Sequence, residues 1–435
     1  MHRAGARHDA QMRILLVSHG LPPESVGGVE QHVEGLARAL CARGHEVAIY
    51  TRTGRAGPAQ GTLVDDPPGH LPCRVSRVVY RHEGLQGLAT LYRDDVLDAA
   101  FARYLGDTRF DVVHVHHLTG ISCGILDRLR TSGMRVVLTL HDYWLICARG
   151  QMWHRTGTVC AQVEPERCAA CLEPTFGGLP AGVAPAHLAQ LHAQALGWLR
   201  GVDQIVVPSA AVLPPFAALG LATDRFRVVG NGVDTLALEQ VPAPPEVRAG
   251  PLRVGYLGTL IPSKGLDVLV DAIALLPPGT ASLDIFGNAV PYHGDAGFLT
   301  RVFSRLTPES AVRYHGPYRT EALPRILGDL DVVVAPALWQ EAFGLTVREA
   351  MAAGRPVVVS RIGGLAEAVA TGAEGCVVAP GDREGLAAAL ATLAGDRRQL
   401  VAMGRAARRQ SRGFLPMAAE LEAIYREVAA GTARA

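Results

Sequence analysis

Short apolar runs alternate with helical patterns along most of the chain. Residues 13–18 form an apolar run without polar alternation, which is typical of a strand buried in a parallel sheet. A helical pattern follows and ends at Gly44, and the next strand begins at Val47. This order of strand, loop, helix and strand predicts a βαβ unit.

The same order starts again in the second half of the chain, with a strand at 252–257 and a helix at 266–276. The proline-rich segment 241–251 has no periodicity and indicates a domain junction nearby. We therefore predict two α/β domains. The expected division is a disordered extension over 1–11, an N-terminal domain over 12–228 with a cysteine-rich insert at 145–175, a C-terminal domain over 229–412, and a helix within 413–435 that packs back on the N-terminal domain.

Composition narrows the possible classes of protein. The 42 lysines and arginines nearly balance the 41 acidic residues, so no excess of positive charge points to nucleic acid. No apolar run reaches the roughly 20 residues of a membrane span, and no signal peptide is visible. We expect a cytoplasmic protein, in which the eight cysteines stay reduced and form no disulfide framework.

The most informative stretch is residues 336–356, between a strand at 331–335 and a helix at 345–353. It holds Glu341 and, eight positions later, Glu349. The N-terminus of a helix offers free N–H groups to a diphosphate, and two carboxylates suit the hydroxyls of a ribose and a sugar. The stretch therefore predicts a nucleotide-sugar site.

Two glycine-containing loops fit the same kind of ligand. Gly27 and Gly28 precede the first helix and let the backbone approach a ligand, although a plain tight turn is the alternative. Lys264 follows a loop at a helix start, where its ammonium can meet a phosphate. Its alternative is a solvated surface lysine.

Histidines end the strand at 111–117, and His141, Asp142 and Tyr143 end the strand at 136–140. Ligands of open α/β sheets lie outside the carboxyl ends of strands, so a binding role is expected for at least one of these histidines. Alternation places His114 and His116 on one face and His117 on the other. Metal binding by these three is not favoured, because no carboxylate or cysteine is adjacent.

Four cysteines fall within 25 positions in a stretch without clear periodicity. The pair at 168 and 171 has the spacing of zinc ligands, and four thiolates would tie down a loop too small to make its own core. We predict a structural zinc, with an iron–sulfur cluster or free thiols as alternatives and His154 as a substitute ligand. The predicted metal ligands are Cys147, Cys160, Cys168 and Cys171.

The chain resembles the retaining family-4 glycosyltransferases of the GT-B fold. The specific match is Glu341 to Glu349 with its Glu-Ala-Phe-Gly-Leu and Glu-Ala-Met-Ala flanks. Weaker matches are Gly27-Gly28-Val-Glu, His114-Val-His116, Pro208-Ser209, Asn231-Gly-Val-Asp, Lys264-Gly265 and Gly363-Gly364 followed by Glu367. The resemblance implies two Rossmann-like domains that face each other across a cleft, a donor held mainly by the C-terminal domain, and no bound metal for catalysis.

The resemblance also implies individual roles. Glu349 would accept hydrogen bonds from the ribose, Glu341 from the donor sugar, and Lys264 would pair with the phosphates. Gly28 would let its loop close on the diphosphate, and His116 would touch the sugar. The amides of Phe343, Gly344 and Leu345 would lie against sugar and diphosphate.

One position departs from the family pattern. Relatives usually carry an arginine where this chain has Thr259. Losing a guanidinium removes charge-assisted hydrogen bonds of about 1.5–3 kcal/mol unless another residue replaces them. Arg319 and Arg361 are the candidates for replacement.

The expected function is transfer of a sugar from a nucleotide-diphosphate sugar to a glycan, lipid-linked or small-molecule acceptor. Alternatives are a UDP-sugar 2-epimerase of the same fold and a non-catalytic partner subunit. The acceptor should lie near His117, His141, Asp142 and Tyr143. A lipid-linked acceptor would bring the protein into peripheral contact with a membrane.

Overall fold

The computed structural model describes residues 11–246, 249–306 and 310–431. Apart from Gln11, the extension expected over 1–11 lies outside the described residues. No helix in the described ranges is long and apolar enough to cross a membrane.

The N-terminal domain is built on a sheet of eight strands in the order β10-β9-β6-β5-β1-β2-β4-β3. All neighbours in this sheet pair in parallel except β3, which pairs antiparallel with β4. A separate antiparallel hairpin consists of β7 and β8. The described strands are β1 (Arg13–Val17), β2 (Glu46–Thr53), β3 (Leu63–Asp65), β4 (Arg74–Val79), β5 (Val112–Val115), β6 (Arg135–Thr139), β7 (Trp153–His154), β8 (Thr158–Val159), β9 (Gln204–Val207) and β10 (Phe226–Val228).

The C-terminal domain is built on a parallel sheet with the strand order β13-β12-β11-β14-β15-β16. Its central strands are almost wholly apolar, as expected for a sheet covered on both faces. The described strands are β11 (Leu252–Leu257), β12 (Ala281–Phe286), β13 (Val312–Tyr314), β14 (Val332–Ala335), β15 (Val357–Ser360) and β16 (Gly375–Val378).

Helices connect the parallel strands in both domains. The described helices of the N-terminal part are α1 (Gly28–Ala42), α2 (Leu88–Tyr92), α3 (Asp95–Leu105), α4 (Gly124–Ser132), α5 (Pro165–Phe176), α6 (Pro185–Gly201) and α7 (Leu213–Ala218). Those that follow are α8 (Thr235–Leu238), α9 (Leu266–Ala274), α10 (Phe298–Phe303), α11 (Leu323–Asp329), α12 (Leu345–Ala352), α13 (Gly363–Ala368), α14 (Arg383–Gly395), α15 (Arg397–Arg409) and α16 (Phe414–Ala429).

The terminal helix α16 returns to the N-terminal domain and packs against α1. Its residues Leu421 and Tyr425 are buried in one cluster with Leu36 of α1 and Ile14 of β1. The contact is close, because a Cβ at Gly35 would lie 2.3 Å from the ring of Phe414. A side chain at position 35 would therefore push the two helices apart.

Polar contacts also join the domains. Ser209 Oγ donates a hydrogen bond of 2.7 Å to the carbonyl of Ala342. The Glu367 carboxylate accepts from the amides of Ala210 and Ala211 at 3.1 and 2.7 Å. The loop after β9 is thereby fixed against α13.

Candidate active site

A cleft of about 400 Å³ opens between the domains, at the carboxyl ends of β11, β12 and β14. This is where ligands of open α/β sheets bind. Most of the predicted donor-binding residues line it, namely Gly27, Gly28, Thr259, Lys264, Glu341, Gly344, Leu345 and Glu349.

An ion pair lies in this cleft. The Lys264 ammonium donates to the carboxylate of Glu341 and stands 5.3 Å from the centre of the Trp339 ring. Lys264 is the one lysine in the sequence, and every other basic residue among the 42 lysines and arginines is arginine. A compact ammonium, which differs from a planar guanidinium in size and geometry, thus occurs only at this cleft position.

Glu349 projects from α12 and is 7% exposed. Burial raises the pKa of its carboxyl to about 8. Tyr318, from the loop after β13, lines the same cleft. The Glu349 carboxyl is therefore neutral at pH 7 before a ligand supplies hydrogen bonds to its charged form.

The N-terminus of α12 faces the cleft through Gly344, Leu345 and Thr346. Gly344 has φ +77°, and a Cβ there would lie 2.3 Å from Leu365, so glycine is required. The first N–H groups of a helix lack intrahelical partners and can bind an anion.

Phe343 is placed differently from the other residues of this stretch. Its side chain does not line the cleft but a second cavity, where the Arg348 guanidinium stands 4.7 Å from the centre of the Phe343 ring. Only the backbone of Phe343 is thus available for the predicted ligand contact.

The glycine loop forms the opposite wall. A Cβ built on Gly28 would approach Leu345 to 3.7 Å, so the two walls nearly touch here. Gln31 Nε2 donates to Thr320 Oγ1 across the domains at 3.1 Å. The loop therefore borders the cleft from the N-terminal side.

Glu30 holds this loop in place, a role that we did not predict. Its carboxylate accepts from Ser25 Oγ at 2.5 Å and lies 3.4 Å from His19 Nε2. Burial opposes its ionisation, but the hydrogen bonds from His19 and Ser25 lower the pKa of Glu30 to about 2. A Cβ on Gly27 would lie 2.7 Å from this carboxylate. The indication of this role in the sequence is the position of Glu30 directly after Gly27, Gly28 and Val29.

His116 does not line the cleft. It is 1% exposed, and its Nδ1 lies 3.1 Å from Nε2 of His141. His32 of α1, which we did not single out from the sequence, completes a trio whose ligand atoms all lie within 4.8 Å of one another. Burial lowers the pKa of His32 to about 3 and those of the other two well below the ordinary value, so all three are neutral at pH 7.

The predicted acceptor-side residues separate into two groups. His117, His141 and Asp142 line one small cavity together with His116, and His117 Nε2 lies 3.2 Å from Asp142 Oδ2. Tyr143 is fully buried and does not line this cavity. The four predicted metal-ligand cysteines line another cavity in the N-terminal domain.

Thr259 stands where the family resemblance leads us to expect an arginine. Thr259 lines the cleft, but neither Arg319 nor Arg361 does, and Lys264 is the one cation among the described lining residues. The cleft therefore does not replace the missing guanidinium with another one.

Sequence comparisons agree with this geometry. The profile "Glycosyltransferase Family 4" matches residues 26–236, and "Glycosyl transferases group 1" matches residues 251–396. A glycogen synthase of Mycobacterium tuberculosis is 31% identical over 407 residues, which cover 92% of this chain and 90% of that protein. The chain belongs to the family-4 glycosyltransferases.

Other relatives of this glycosyltransferase point the same way. A D-inositol 3-phosphate glycosyltransferase of Corynebacterium aurimucosum is 29% identical and covers 95% of this chain and 96% of that one. Sucrose-phosphate synthase from Thermosynechococcus elongatus has the same fold, with a TM-score of 0.72, 21% identity and coverage of 97% and 100% of the two chains. HepE of Anabaena, solved with UDP-glucose, gives a TM-score of 0.66 at 19% identity and covers 96% of this chain and 100% of that one.

These findings confirm the GT-B fold and a glycosyltransferase. They support this function over the two alternatives, an epimerase of the same fold and a non-catalytic subunit.

Proposed function

We propose that this glycosyltransferase moves a sugar, with retention at its anomeric carbon, from a nucleotide-diphosphate sugar to a hydroxyl group of a glycan, lipid-linked or small-molecule acceptor. The observation that carries the proposal is the set of groups in one cleft. The Lys264–Glu341 pair, the open N-terminus of α12 and the buried Glu349 match the charges and hydroxyls of such a donor.

Donor binding would exchange partners within the ion pair. The hydroxyls of the sugar would donate to Glu341, and the Lys264 ammonium would turn to the diphosphate. Lys264 and the N–H groups of α12 would then stabilise the charge that develops on the leaving diphosphate. Glu349 would accept from the ribose hydroxyls.

His116 is proposed to reach the donor sugar. Its Nε2 is buried without a hydrogen-bond partner among the described residues, which supports a ligand contact. The ring would have to leave its contact with His141 as the donor enters.

The acceptor is proposed to enter from the N-terminal domain, beside the cavity of His117, His141 and Asp142. A lipid-linked acceptor would bring the protein into contact with a membrane surface. The proposed location is the cytoplasm, where cysteines stay reduced.

The single lysine permits a direct test of the donor site. An amine-reactive reagent can modify only Lys264 and the terminal amine, which peptide mass spectrometry separates. UDP-, GDP- and ADP-sugars should be screened, and the true donor should both raise the unfolding temperature and protect Lys264 from the reagent. Unchanged labelling of Lys264 with every donor that stabilises the protein would refute the phosphate role.

Retention requires its own measurement. The product formed with the identified donor should carry the same anomeric configuration as that donor, which proton NMR reports directly. An inverted product would contradict this part of the proposal.

A further inference from the structure

The four predicted ligand cysteines come from three different local structures that meet at one place. Cys147 lies in a turn after β6, Cys160 directly follows the hairpin of β7 and β8, and Cys168 and Cys171 lie one turn apart on α5. All four line the same cavity. The other four cysteines of the chain do not line it.

A backbone amide points at one of the sulfur atoms. The N–H of Arg155 lies 3.3 Å from Sγ of Cys171. Hydrogen bonds of this kind stabilise a thiolate and orient it, as the groups around metal ligands do.

The segment that carries the cysteines has little regular secondary structure between β6 and α5. Strands β7 and β8 have only two residues each, and buried side chains such as Met152 and Trp153 attach the segment to the core. The turn after Cys147 contains two residues with positive φ angles, Gly150 at +75° and Met152 at +47°. Such an angle is uncommon for a residue other than glycine, such as Met152. A cross-link at the common cavity would add a further constraint to this irregular segment.

The donor set favours zinc. Cys168 and Cys171 have the spacing of zinc ligands, and four thiolates are a common ligand set of structural zinc. Four thiolates about 2.3 Å from one zinc ion stand roughly 3.8 Å apart. Among the described residues only the histidine trio has three ligand atoms within 4.8 Å of one another, so the four sulfur atoms would have to move closer together to bind one ion.

We propose that these four cysteines bind one Zn²⁺ ion as thiolates in a structural site. Each thiol releases its proton to solvent, and the zinc keeps its charge. The Arg149 and Arg167 side chains, which also line the cavity, would offset the two negative charges that remain.

The site would also act on the relative position of the domains. Gln151 and Arg149 lie in the turn that follows Cys147. Gln151 Oε1 accepts from Tyr292 Oη of the C-terminal domain at 2.5 Å, and the Arg149 guanidinium stands 5.1 Å from the Tyr292 ring centre. A zinc ion that fixes this turn would thus hold a contact across the cleft.

Metal analysis of the full chain tests the proposal. The protein is produced with zinc and iron both supplied and purified without a histidine tag. We expect one zinc per chain, with loss of at least 80% of it in a Cys168→Ser/Cys171→Ser variant. Cys376→Ser, a cysteine outside the site, and His32→Gln, which removes one member of the histidine trio, should both keep it.

Cobalt provides a second readout that does not depend on the variants folding. Co²⁺ exchanged into the wild-type protein should show the intense visible absorption of tetrahedral thiolate coordination. Iron with acid-labile sulfide in place of zinc, zinc lost from His32→Gln but kept in the double variant, or less than about 0.2 zinc per chain would each overturn the proposal.

Discussion

Glu349→Gln should make the protein more stable and at the same time weaken donor binding. The carboxyl of Glu349 is 7% exposed, and its pKa is raised from 4.5 to about 8 by burial. In the unfolded chain the group ionises near its ordinary value, while in the folded protein it keeps its proton. Glutamine has nearly the same shape as the protonated carboxyl. The substitution therefore removes only the free-energy cost of protonating this group on folding.

The sign and size of this change in stability follow from the linkage between protonation and folding. Because the folded pKa is raised, the contribution of Glu349 to stability is fully present below pH 4.5 and is lost as the pH rises through 8. A shift from 4.5 to about 8 corresponds to a loss of roughly 1 kcal/mol at pH 5 and about 3 kcal/mol at pH 7. The glutamine variant avoids this loss, which would raise the unfolding temperature of a domain of this size by roughly 6–12 °C at pH 7.

Donor binding should show the opposite effect. In the proposed donor complex, ribose hydroxyls donate to the ionised carboxylate, so binding near pH 7 should release a proton from Glu349. Hydrogen bonds to a charged group contribute about 1.5–3 kcal/mol, which corresponds to a roughly 10- to 100-fold weaker donor affinity in the variant. Glu349→Gln lacks the carboxyl, so donor binding to this variant should not release the proton.

Two measurements check this reasoning. Scanning calorimetry from pH 5 to 8 follows the unfolding temperature, and titration calorimetry in buffers of different ionisation enthalpy counts the protons released on donor binding. Glu374→Gln is the matched control, because Glu374 is also 7% exposed but accepts from the Ala370 amide at 2.9 Å, so no gain is expected. A stability gain for Glu349→Gln that is equal at pH 5 and pH 8, or unchanged proton release, would refute the argument.

Three further predictions follow from other parts of the structure. Lys264→Arg keeps the charge but not the compact ammonium, so turnover should fall at least 10-fold in a donor-dependent assay; wild-type turnover would contradict this. The depressed pKa of His32 means that stability is present above pH 6.5 and is lost as the pH falls toward 3, which unfolding followed by circular dichroism should show, and His32→Phe should flatten the curve. Tyr292→Phe removes the hydrogen bond to Gln151 and should increase proteolysis of the loop at 147–171 without loss of the proposed zinc; unchanged proteolysis would argue against the contact.

The backbone pattern of the donor site was readable from the sequence because its chemistry depends on residue type and spacing. Glycine loops, a helix start and two carboxylates eight positions apart predict where N–H groups and acceptors lie. Lys264, Glu341 and Glu349 are indeed brought together in one cleft. The direction of a side chain is not encoded in this way, and Phe343 and His116 turn away from the cleft into neighbouring cavities.

Other elements of the molecule were not predicted, because their local sequence patterns are weak. The hairpin of β7 and β8 and helix α5 lie in the stretch that showed no clear periodicity. Two-residue strands have no pattern to detect, and a helix that carries ligand cysteines need not follow an apolar stripe. The roles of Glu30 and His32 depend on partners from other elements, which a local pattern does not contain.

The charges of the cleft explain how one lysine can suffice for a diphosphate. Lys264 and Glu341 neutralise each other in the free protein, and the raised pKa of Glu349 keeps that carboxyl uncharged. An arriving diphosphate therefore meets no net negative charge, although two carboxyl groups line its path. In the proposed donor complex, the sugar hydroxyls bind Glu341 and the Lys264 ammonium is free for the phosphates. The N–H groups of α12 would then make the phosphate contacts that an arginine at position 259 would otherwise provide. Replacing Thr259 by arginine should then tighten donor binding, and an unchanged affinity would contradict the view that the cleft lacks a guanidinium contact.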